Sequence, residues 1–489
     1  GILLCFGVLH GGHGDYTFEA LRAADLNGYW ATVAFLLAFF GFGAKAGMLP
    51  LHVWLPEAHP AAPSPVSALM SGVMLKTAIY GMVRVIFDLI GGIRWEWGLT
   101  VLLFGAATSL FGVLFALMQH DLKRLLAYHS VENIGIILIG IGLAMVFIGS
   151  GHPVAGALAL IAGLYHTLNH AVFKGLLFLG AGAILKSTGL RNLNEMGGLI
   201  RYMPHTALYF LIGALAISAL PPLNGFVSEW LTFQASLQAP QLASSVVRSL
   251  VPIVAAVLAL SGALTGMCFV KVYGIAFLGQ HRHEMAVKPR EASGWERAGM
   301  LWLAIACFAL GLLPVFMIGE INKVSLVLIG TGLSDEAMNS GWLWLAPTSG
   351  AQASYSPVVF LLAIAAVFGL TFLLVRHFYH GRLRRADPWD CGFPAQTSRM
   401  QDSADAFGQP IRQIFAPVYL IHREIPRADD PQPVFRQSVE DRHWYSMYLP
   451  IARFNEFLSG HVGKLQQGRI SVYLLYSFVT LIALLVFAQ

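Results

Sequence analysis

The sequence predicts an all-α polytopic membrane protein, and three observations lead to this prediction. The chain has 489 residues, of which 56% are hydrophobic and only 12% charged, whereas a soluble domain carries about a quarter charged residues. Apolar runs of about 20 residues recur along it, each long enough to cross a hydrocarbon core as a helix. The runs lack the alternation of barrel strands, and backbone groups in a bilayer must be satisfied within the segment, so the spans are helical.

The apolar runs predict about ten to twelve transmembrane helices. Basic loops at 119–129 and 186–201 are separated by two crossings, which places both loops on the cytoplasmic side. The predicted location is the cell membrane, that is, the cytoplasmic or inner membrane. The runs lie at 29–54, 64–90, 98–118, 130–149, 154–184, 204–238, 250–279, 298–318, 356–376 and 470–488.

Composition divides the chain into three parts. Residues 1–376 form a predicted transmembrane core, and because the chain opens with Gly1 inside an apolar run, we expect further N-terminal helices to precede it. Residues 377–469 are charged and Pro-rich, and this predicts an extramembrane or interfacial lateral segment, with amphipathic patterning at 410–424 and 444–465. Residues 470–489 are the predicted final transmembrane helix.

Several function classes are disfavoured by what the sequence lacks. The net charge is +5, but no Lys/Arg block with interleaved aromatic residues occurs, so we expect no nucleic-acid partner. The four cysteines are scattered without a C-x-x-C pair, and no nucleotide-binding glycine motif is present. The sequence therefore predicts no cofactor, no metal and no redox centre of its own.

Two apolar runs are interrupted by Pro and Gly close to a charge. The first, "GFGAKAGMLPLHVWLP", contains Lys45, and the second, "SALPPLNGFVSEWLTF", contains Glu229. Paired broken helices in two halves of a chain are typical of inverted-repeat transporters, whose ion sites lie near the middle of the membrane. Proline kinks that serve packing alone are the alternative.

Charged side chains within the apolar runs are the candidate functional residues: Lys45, Lys76, Lys174, Glu229 and Lys271. Each costs about 3 kcal/mol at a helix centre on insertion scales, and such residues usually mark ion or proton routes. The alternatives are a snorkelling lysine at the span end for Lys45 and structural pairing with a lysine for Glu229. Glu132, at the start of a predicted span, is a further candidate for which helix capping competes.

Steps of four residues place His166, His170 and Lys174 on one face of a helix. Neighbours along this stripe are about 6 Å apart along the axis, near the reach of a hydrogen-bonded water. Histidine accepts and donates with different ring nitrogens, so the stripe predicts a proton wire. Neutral histidines that bond the backbone of a Gly-rich helix are the alternative.

Several motifs together resemble a known family: "KAGMLPLHVWLPEAHPAAPSPVSALMSGVMLKTAIYG", "QHDLKRLLAYHSVENIG", "LYHTLNHAVFKGLLFLGAG", "NEMGGL" and "PPLNGFVSEW". They look like the antiporter-like membrane subunits shared by respiratory complex I, multisubunit cation/proton antiporters and membrane-bound hydrogenases. Within that family, "AYHSVENIG", "FVKVYGIAFLG" and "DPWDCGFP" resemble the hydrogenase-4 and formate hydrogenlyase branch.

The resemblance implies an antiporter-like inverted-repeat fold and a role for each candidate. Lys45 and Glu229 would be the charged residues of the two broken helices, and Lys76 would connect Lys45 to the axis formed by His166, His170 and Lys174. The family's glutamate partner of Lys45 would precede residue 1, and 377–469 with the last span would correspond to a lateral arm that clamps neighbouring subunits.

The sequence thus predicts a proton-translocating membrane subunit of a membrane-bound hydrogenase complex, with peripheral hydrogenase or dehydrogenase subunits, other membrane subunits and lipid as partners. Sodium is the alternative ion. A cation/proton antiporter subunit or complex I pump module is the first alternative function, and a structural membrane anchor without ion transport is the second.

Overall fold

The structure is a computed structural model that describes residues 1–12, 15–24, 26–282, 288–333, 341–347, 354–379, 391–393, 396–398, 400–427, 429–464 and 468–487. The chain forms two compact units, Gly1–Arg412 and Gln413–Gln489. Within the described ranges, nine helices are long and apolar enough to cross a membrane, the last of them in the second unit.

The first unit is a bundle of helices joined mostly by short loops, with a long helix, α5, that contains the π turns Met70–Met74 and Val85–Leu89. In chain order the helices are α1 (Ile2–His10), α2 (Phe18–Ala23), α3 (Gly28–Ala46), α4 (Trp54–Ala61), α5 (Ser64–Leu89), α6 (Trp95–Met118), α7 (Leu122–Gly149), α8 (Pro153–Thr188), α9 (Pro204–Ile217), α10 (Asn224–Ser236), α11 (Ser245–Phe277), α12 (Gly294–Leu312), α13 (Pro314–Ile329), α14 (Pro357–Phe378) and α15 (Ala404–Ile414).

Helices α6, α7 and α8 form the centre of this bundle, and α7 is buried along almost its whole length. Glycine lets α6 and α7 approach closely. A Cβ atom added at Gly112 would lie 2.5 Å from the backbone nitrogen of Glu132, and one added at Gly135 would lie 2.2 Å from the backbone nitrogen of Ser109. Both distances are too short for any side chain, so the two glycines fix Glu132 against α6.

The first predicted interruption separates α3 from α4. The chain leaves α3 through Gly47, which has a φ of +81°, and passes the cis peptide Leu49–Pro50. The carbonyl oxygen of Ala44 accepts a hydrogen bond from the indole Nε1 of Trp54 at 2.9 Å. The break is therefore closed by a side chain of the next helix.

The second predicted interruption separates α9 from α10. Helix α9 ends at Ile217, Ala219 has a positive φ of 50°, and a cis peptide joins Pro221 to Pro222 before α10 begins at Asn224. Asn169 of α8 donates a hydrogen bond from Nδ2 to the carbonyl oxygen of Asn224 at 2.9 Å. The start of α10 is thereby fixed against the centre of the bundle.

The two basic loops of the sequence meet at one end of the bundle. The backbone N–H of Leu122 donates to the carbonyl oxygen of Arg191, and the backbone N–H of Leu193 donates to the carbonyl oxygen of His120, both at 2.9 Å. Asp121 caps α7 by accepting hydrogen bonds from the backbone N–H groups of Lys123 and Arg124. Both loops therefore face the same side of the membrane.

The second unit begins with a two-stranded antiparallel sheet, β1 (Tyr419–Glu424) and β2 (Arg436–Asp441), in which Ile421 is opposite Val439. Helices α16 (Leu449–Gly463) and α17 (Ile470–Phe487) follow. Residues 419–424, in the second half of the amphipathic stretch 410–424, form β1, whose pairing with β2 local periodicity does not reveal. The division of the chain at 376 and 469 stays a prediction.

Candidate functional site

The polar stripe of α8 lies wholly inside the bundle. His166 is 1% exposed, and His170 and Lys174 are fully buried. The rings of His166 and His170 are stacked, with centroids 6.5 Å apart.

Lys76 of α5 contacts this stripe directly. Its Nζ lies 2.8 Å from Nδ1 of His170 and also donates a hydrogen bond of 2.5 Å to the carbonyl oxygen of Ser71. Ser71 belongs to the π turn of α5, a local widening that is frequent at functional sites. The same contact serves an ammonium that donates to a neutral imidazole and an imidazolium that donates to a neutral amine, so one proton can change owner without side-chain movement.

His166 is hydrogen-bonded through both ring nitrogens. Its Nε2 lies 3.1 Å from Oδ1 of Asn133 on α7, and its Nδ1 lies 2.9 Å from Oγ of Ser228 on α10. The Oδ1 atom only accepts, so in this arrangement Nε2 carries a hydrogen. Lys76, His170, His166, Asn133 and Ser228 together are the central axis.

Ser228 has two acceptors within reach of its hydroxyl hydrogen. One is Nδ1 of His166, and the other is the carbonyl oxygen of Gly225 at 3.2 Å. When His166 is neutral the hydroxyl donates to Nδ1, and when Nδ1 is protonated the hydroxyl turns to Gly225 and accepts from the imidazolium. Rotation of one hydroxyl therefore satisfies both charge states of His166.

A second polar group lies beside the axis, between α7, α8 and α11. Nδ1 of His129 is 2.5 Å from Oε2 of Glu132, and Oε1 of Glu132 accepts a hydrogen bond from the hydroxyl of Thr265. Lys174 donates from Nζ to the carbonyl oxygen of Leu126 at 2.5 Å and acts electrostatically on Glu132. His129, Glu132, Thr265 and Lys174 are the lateral cluster.

The lateral cluster is joined to the central axis through Asn133. Its Nδ2 donates to the carbonyl oxygen of His129 at 2.7 Å, while its Oδ1 faces His166. This geometry also decides the alternative role of Glu132 as a helix cap. The cap of α7 is Asp121, and Glu132 lies eleven residues further on with 1% of its surface exposed, so Glu132 does not cap the helix.

Glu229 lies on α10, one residue after Ser228, and is 6% exposed. Its carboxylate lines a largely apolar cavity of about 580 Å³ formed with α9 and α11. No hydrogen bond joins it to a described residue, and Glu132 is the charged group that acts on it electrostatically. The structure thus places Glu229 next to the central axis in sequence and within electrostatic range of the lateral cluster.

Lys271 of α11 is fully buried at the end of α6. Its Nζ donates to the carbonyl oxygens of Leu117 at 2.7 Å and Gln119 at 3.0 Å, which are free because α6 ends there. Lys271 therefore satisfies a helix terminus inside the bundle, which its Nζ can do as an ammonium or as a neutral amine.

Lys45 is the predicted site residue that the structure does not bring to the others. It is exposed on α3, one residue before the helix ends. Among the residues that the structure describes, none forms a hydrogen bond or an ion pair with it. Its role stays a prediction.

Sequence reasoning missed five side chains of this region: His129, Asn133, Asn169, Ser228 and Thr265. The segment "HSVEN" did carry a signal, since four of its five residues are polar inside an apolar run. Ser228 and Thr265 carried none, because a lone hydroxyl in an apolar helix usually bonds its own backbone. Within the described ranges, no group of three His, Cys, Asp or Glu side chains is arranged to hold a metal ion.

Comparison with known proteins places this geometry in a family. Residues 1–254 match the family described as NADH:quinone oxidoreductase/Mrp antiporter, TM. The chain is 38% identical to hydrogenase-4 component B of Escherichia coli over 502 residues, which cover 99% of this chain and 73% of that protein. It is 37% identical to formate hydrogenlyase subunit 3 of the same organism over 394 residues, which cover 79% of this chain and 61% of that protein.

A solved structure shows the same fold along the whole chain. A subunit of the membrane-bound sulfane sulfur reductase, an archaeal respiratory membrane complex, superposes with a TM-score of 0.74 at 25% identity and covers 99% of this chain and 74% of its own. The relatives are subunits of multisubunit membrane complexes. The predicted fold class and the predicted resemblance are both confirmed, and the chain belongs to the NADH:quinone oxidoreductase/Mrp antiporter family of multi-pass membrane subunits.

Proposed function

We propose that this chain is a proton-translocating subunit of a membrane-bound hydrogenase complex of the hydrogenase-4 or formate hydrogenlyase kind, in the cytoplasmic or inner membrane. One observation supports it above the others. Titratable side chains from three helices are grouped inside an apolar bundle: half-buried Lys76 of α5 contacts buried His170 of α8, and buried Glu132 of α7 contacts His129 in the neighbouring lateral cluster. Such groups are costly in a membrane interior and usually mark an ion route.

The first proposed step is proton exchange between Lys76 and His170. Their nitrogens are 2.8 Å apart, so the transfer needs no new contact. The carbonyl oxygen of Ser71 holds the lysine in place in either charge state. A neutral amine still donates N–H hydrogens to this carbonyl, and therefore Lys76 keeps its position after it gives up a proton.

The next proposed step passes the proton from His170 to His166. The stacked rings face each other at 6.5 Å, and Ser228 adjusts its hydroxyl to the charge of His166. The imidazolium is stabilised by hydrogen bonds on both nitrogens, to Asn133 and to Ser228. Bonds of this kind to a charged group are worth about 1.5–3 kcal/mol each.

The terminal proposed step involves Lys174, Glu132 and Glu229. Glu132 acts electrostatically on both of the others, so a change in its charge is felt at each. In a low-dielectric interior, interactions of this kind are much stronger than in water. We propose that Glu229 exchanges the proton with the next part of the route.

The driving force comes, in this proposal, from redox chemistry in partner subunits, since we assign no redox centre to this chain. The names of hydrogenase-4 component B and formate hydrogenlyase subunit 3 favour hydrogenase partners. The structural match to the sulfane sulfur reductase subunit favours a sulfur-reducing partner as the second candidate. In both cases the ion route lies in this chain and the electrons stay outside it.

The test is proton translocation by the purified complex in sealed vesicles, with wild-type chain and with Lys76→Ala, Glu229→Gln and the control Lys323→Gln. Lys323 is an exposed lysine of α13 paired with Glu320 at 2.7 Å. We expect Lys76→Ala and Glu229→Gln to lower the proton flux at least about 100-fold, as is typical for lost acid–base groups, and the control to leave it unchanged.

The alternatives give different results in the same vesicles. An antiporter subunit would move protons only against a sodium or potassium gradient, with no need for the redox reaction. A structural anchor would leave proton translocation intact in both variants while the complex still assembles, and that result would overturn the proposal. If the flux requires sodium salts and is absent in potassium salts, the translocated ion is sodium and not the proton.

A further inference from the structure

Asp405, His120 and Lys271 lie at the end of the bundle where the two basic loops meet, and Lys271 donates to the carbonyl oxygen of Gln119, the residue before His120. His120, in the first of these loops, pairs through Nε2 with Oδ1 of Asp405 at 3.0 Å. Asp405 belongs to α15. Their side chains are 29% and 43% exposed, whereas Lys271, the next charged group inward, is fully buried.

Helix α15 is fixed in this position by the partners of Asp405. Oδ2 of Asp405 accepts a hydrogen bond from Nδ2 of Asn194 at 2.9 Å, and the backbone N–H of Ala404 donates to Oδ1 of Asn194 at 2.8 Å. Arg412 of the same helix approaches Oδ1 of Asp405 at 3.7 Å. The carboxylate therefore stands at a defined place above the end of α6.

Electrostatic interactions join the surface pair to the interior. The pKa of His120 is lowered mainly by burial, an effect that Asp405 opposes and that Lys271 and Arg412 reinforce. Lys271 in turn interacts with Cys268, and both act on His129 of the lateral cluster. Lys271 is thus within electrostatic range of both His120 at the surface and His129 of the lateral cluster.

We propose that Asp405, His120 and Lys271 form a proton-uptake branch, which collects protons at this end of the bundle and delivers them to the lateral cluster. The proposal rests on the proposed function and adds the place where protons enter the chain. Asp405 collects the proton, His120 relays it, and Lys271 receives it while its Nζ stays bonded to the end of α6.

The rate of proton supply explains why such a site is useful. With a diffusion limit of about 10⁹–10¹⁰ M⁻¹ s⁻¹, a bare opening receives only about 10–100 protons per second near pH 8, and about a hundredfold more near pH 6. Enzyme turnover of about 1–10³ per second is of the same order as the lower supply. A fixed carboxylate at the opening raises the local concentration of cations and hence the uptake rate by about tenfold or more.

The experiment uses the whole complex in vesicles with the basic loops facing the bath, and measures proton uptake between about pH 6 and 8. The variants are Asp405→Asn, Asp405→Glu and His120→Gln. The matched control is Lys186→Gln, which breaks the Lys186–Glu296 ion pair of 2.7 Å at the end of α8 that adjoins these loops. All variants keep the other charged groups around the pair, namely Arg412, Lys271 and the ion pair between Arg191 and Asp121.

We expect Asp405→Asn and His120→Gln to lower proton uptake about tenfold near pH 8 and less than about twofold near pH 6, because supply limits the rate only at low proton concentration. Asp405→Glu should restore most of the uptake, since it retains a carboxylate. The control should follow the wild-type pH profile.

The outcomes separate this proposal from the proposed function. If Glu229→Gln abolishes translocation while Asp405→Asn and His120→Gln match the control at every pH, the uptake branch is wrong and the translocation proposal stands. If Asp405→Asn prevents assembly because the hydrogen bond from Asn194 is lost, His120→Gln alone decides. That variant removes only the imidazole partner of Asp405 and leaves the bond from Asn194 in place. An equal loss at about pH 6 and pH 8 would indicate a structural role and also overturn the branch.

Discussion

Replacement of Ser228 by alanine tests the central axis at a single oxygen atom. The hydroxyl of Ser228 bonds Nδ1 of His166 at 2.9 Å and receives a bond from Nδ2 of Asn169 at 3.1 Å. Alanine fits the same space and leaves the backbone of α10 unchanged. The perturbation therefore removes one partner of His166 and one of the two acceptors of Asn169 Nδ2, which keeps the carbonyl oxygen of Asn224.

The expected size of the effect follows from the charge of His166 during transfer. The protonated ring needs an acceptor for each N–H, and Ser228→Ala removes the one that faces Nδ1. A hydrogen bond to a charged group contributes about 1.5–3 kcal/mol, and each 1.36 kcal/mol in a barrier is about tenfold in rate. We expect proton translocation through His166 to slow by about 10- to 100-fold.

The assay is proton translocation per electron in vesicles, together with redox turnover of the same preparation. Ser236→Ala is the matched control, because Ser236 lies on the same helix, is buried, and donates to the carbonyl oxygen of Thr232 at 2.9 Å. Both variants lose one buried hydroxyl, so a general loss of stability would affect them alike. If Ser228→Ala translocates protons as Ser236→Ala does, the assignment of His166 to the route is refuted.

Two further predictions concern packing and pH. Gly135→Ala should lower the thermal unfolding temperature of the complex or prevent its assembly, because the added Cβ would lie 2.2 Å from the backbone nitrogen of Ser109. The control Gly266→Ala should leave the unfolding temperature unchanged, because its Cβ would meet no atom within 4 Å. Equal unfolding temperatures of the two variants would contradict the packing of α6 on α7. A hydrogen bond from His443 to Asp441, opposed by burial, raises the pKa of His443 above its ordinary 6.5. The bond therefore stabilises the turn Trp444–Tyr448 below this pH and is lost as the pH rises through the folded-state value. Hydrogen exchange in the turn should quicken over that range relative to His443→Gln, and identical profiles would contradict the assignment.

Some of the fold and site follows from local sequence pattern alone. Pro and Gly within apolar runs predicted both interruptions. Pro removes a backbone hydrogen bond of the helix, and Gly loses more conformational entropy in a helix than other residues do. The four-residue spacing of His166, His170 and Lys174 predicted their common face, and the structure has all three buried on it. Signals of this kind depend only on the geometry of one helix.

The remaining features depend on which helix packs against which. The partners of His166 come from α7 and α10, and that of Lys76 comes from α8, so no local pattern contains them. The strand at 419–424 needs its partner at 436–441 to form. Helix α7 begins at Leu122, eight residues before the apolar run 130–149, because its first turn is charged and is capped by Asp121. Judged from the apolar run alone, Glu132 therefore looked like a residue at the helix start.

Glu132 is the point at which the proposed route and the proposed uptake branch meet. Its carboxylate is bonded to His129 and Thr265, and it acts electrostatically on Lys174 and Glu229. A negative charge on Glu132 attracts a proton to Lys174 and opposes a second negative charge on Glu229. When a proton arrives at Glu132 this charge disappears, and the loss of a proton from either neighbour becomes easier. Each proton taken up would thus displace one already held. Glu132→Gln fixes the neutral state, so in this variant redox turnover should proceed without proton displacement.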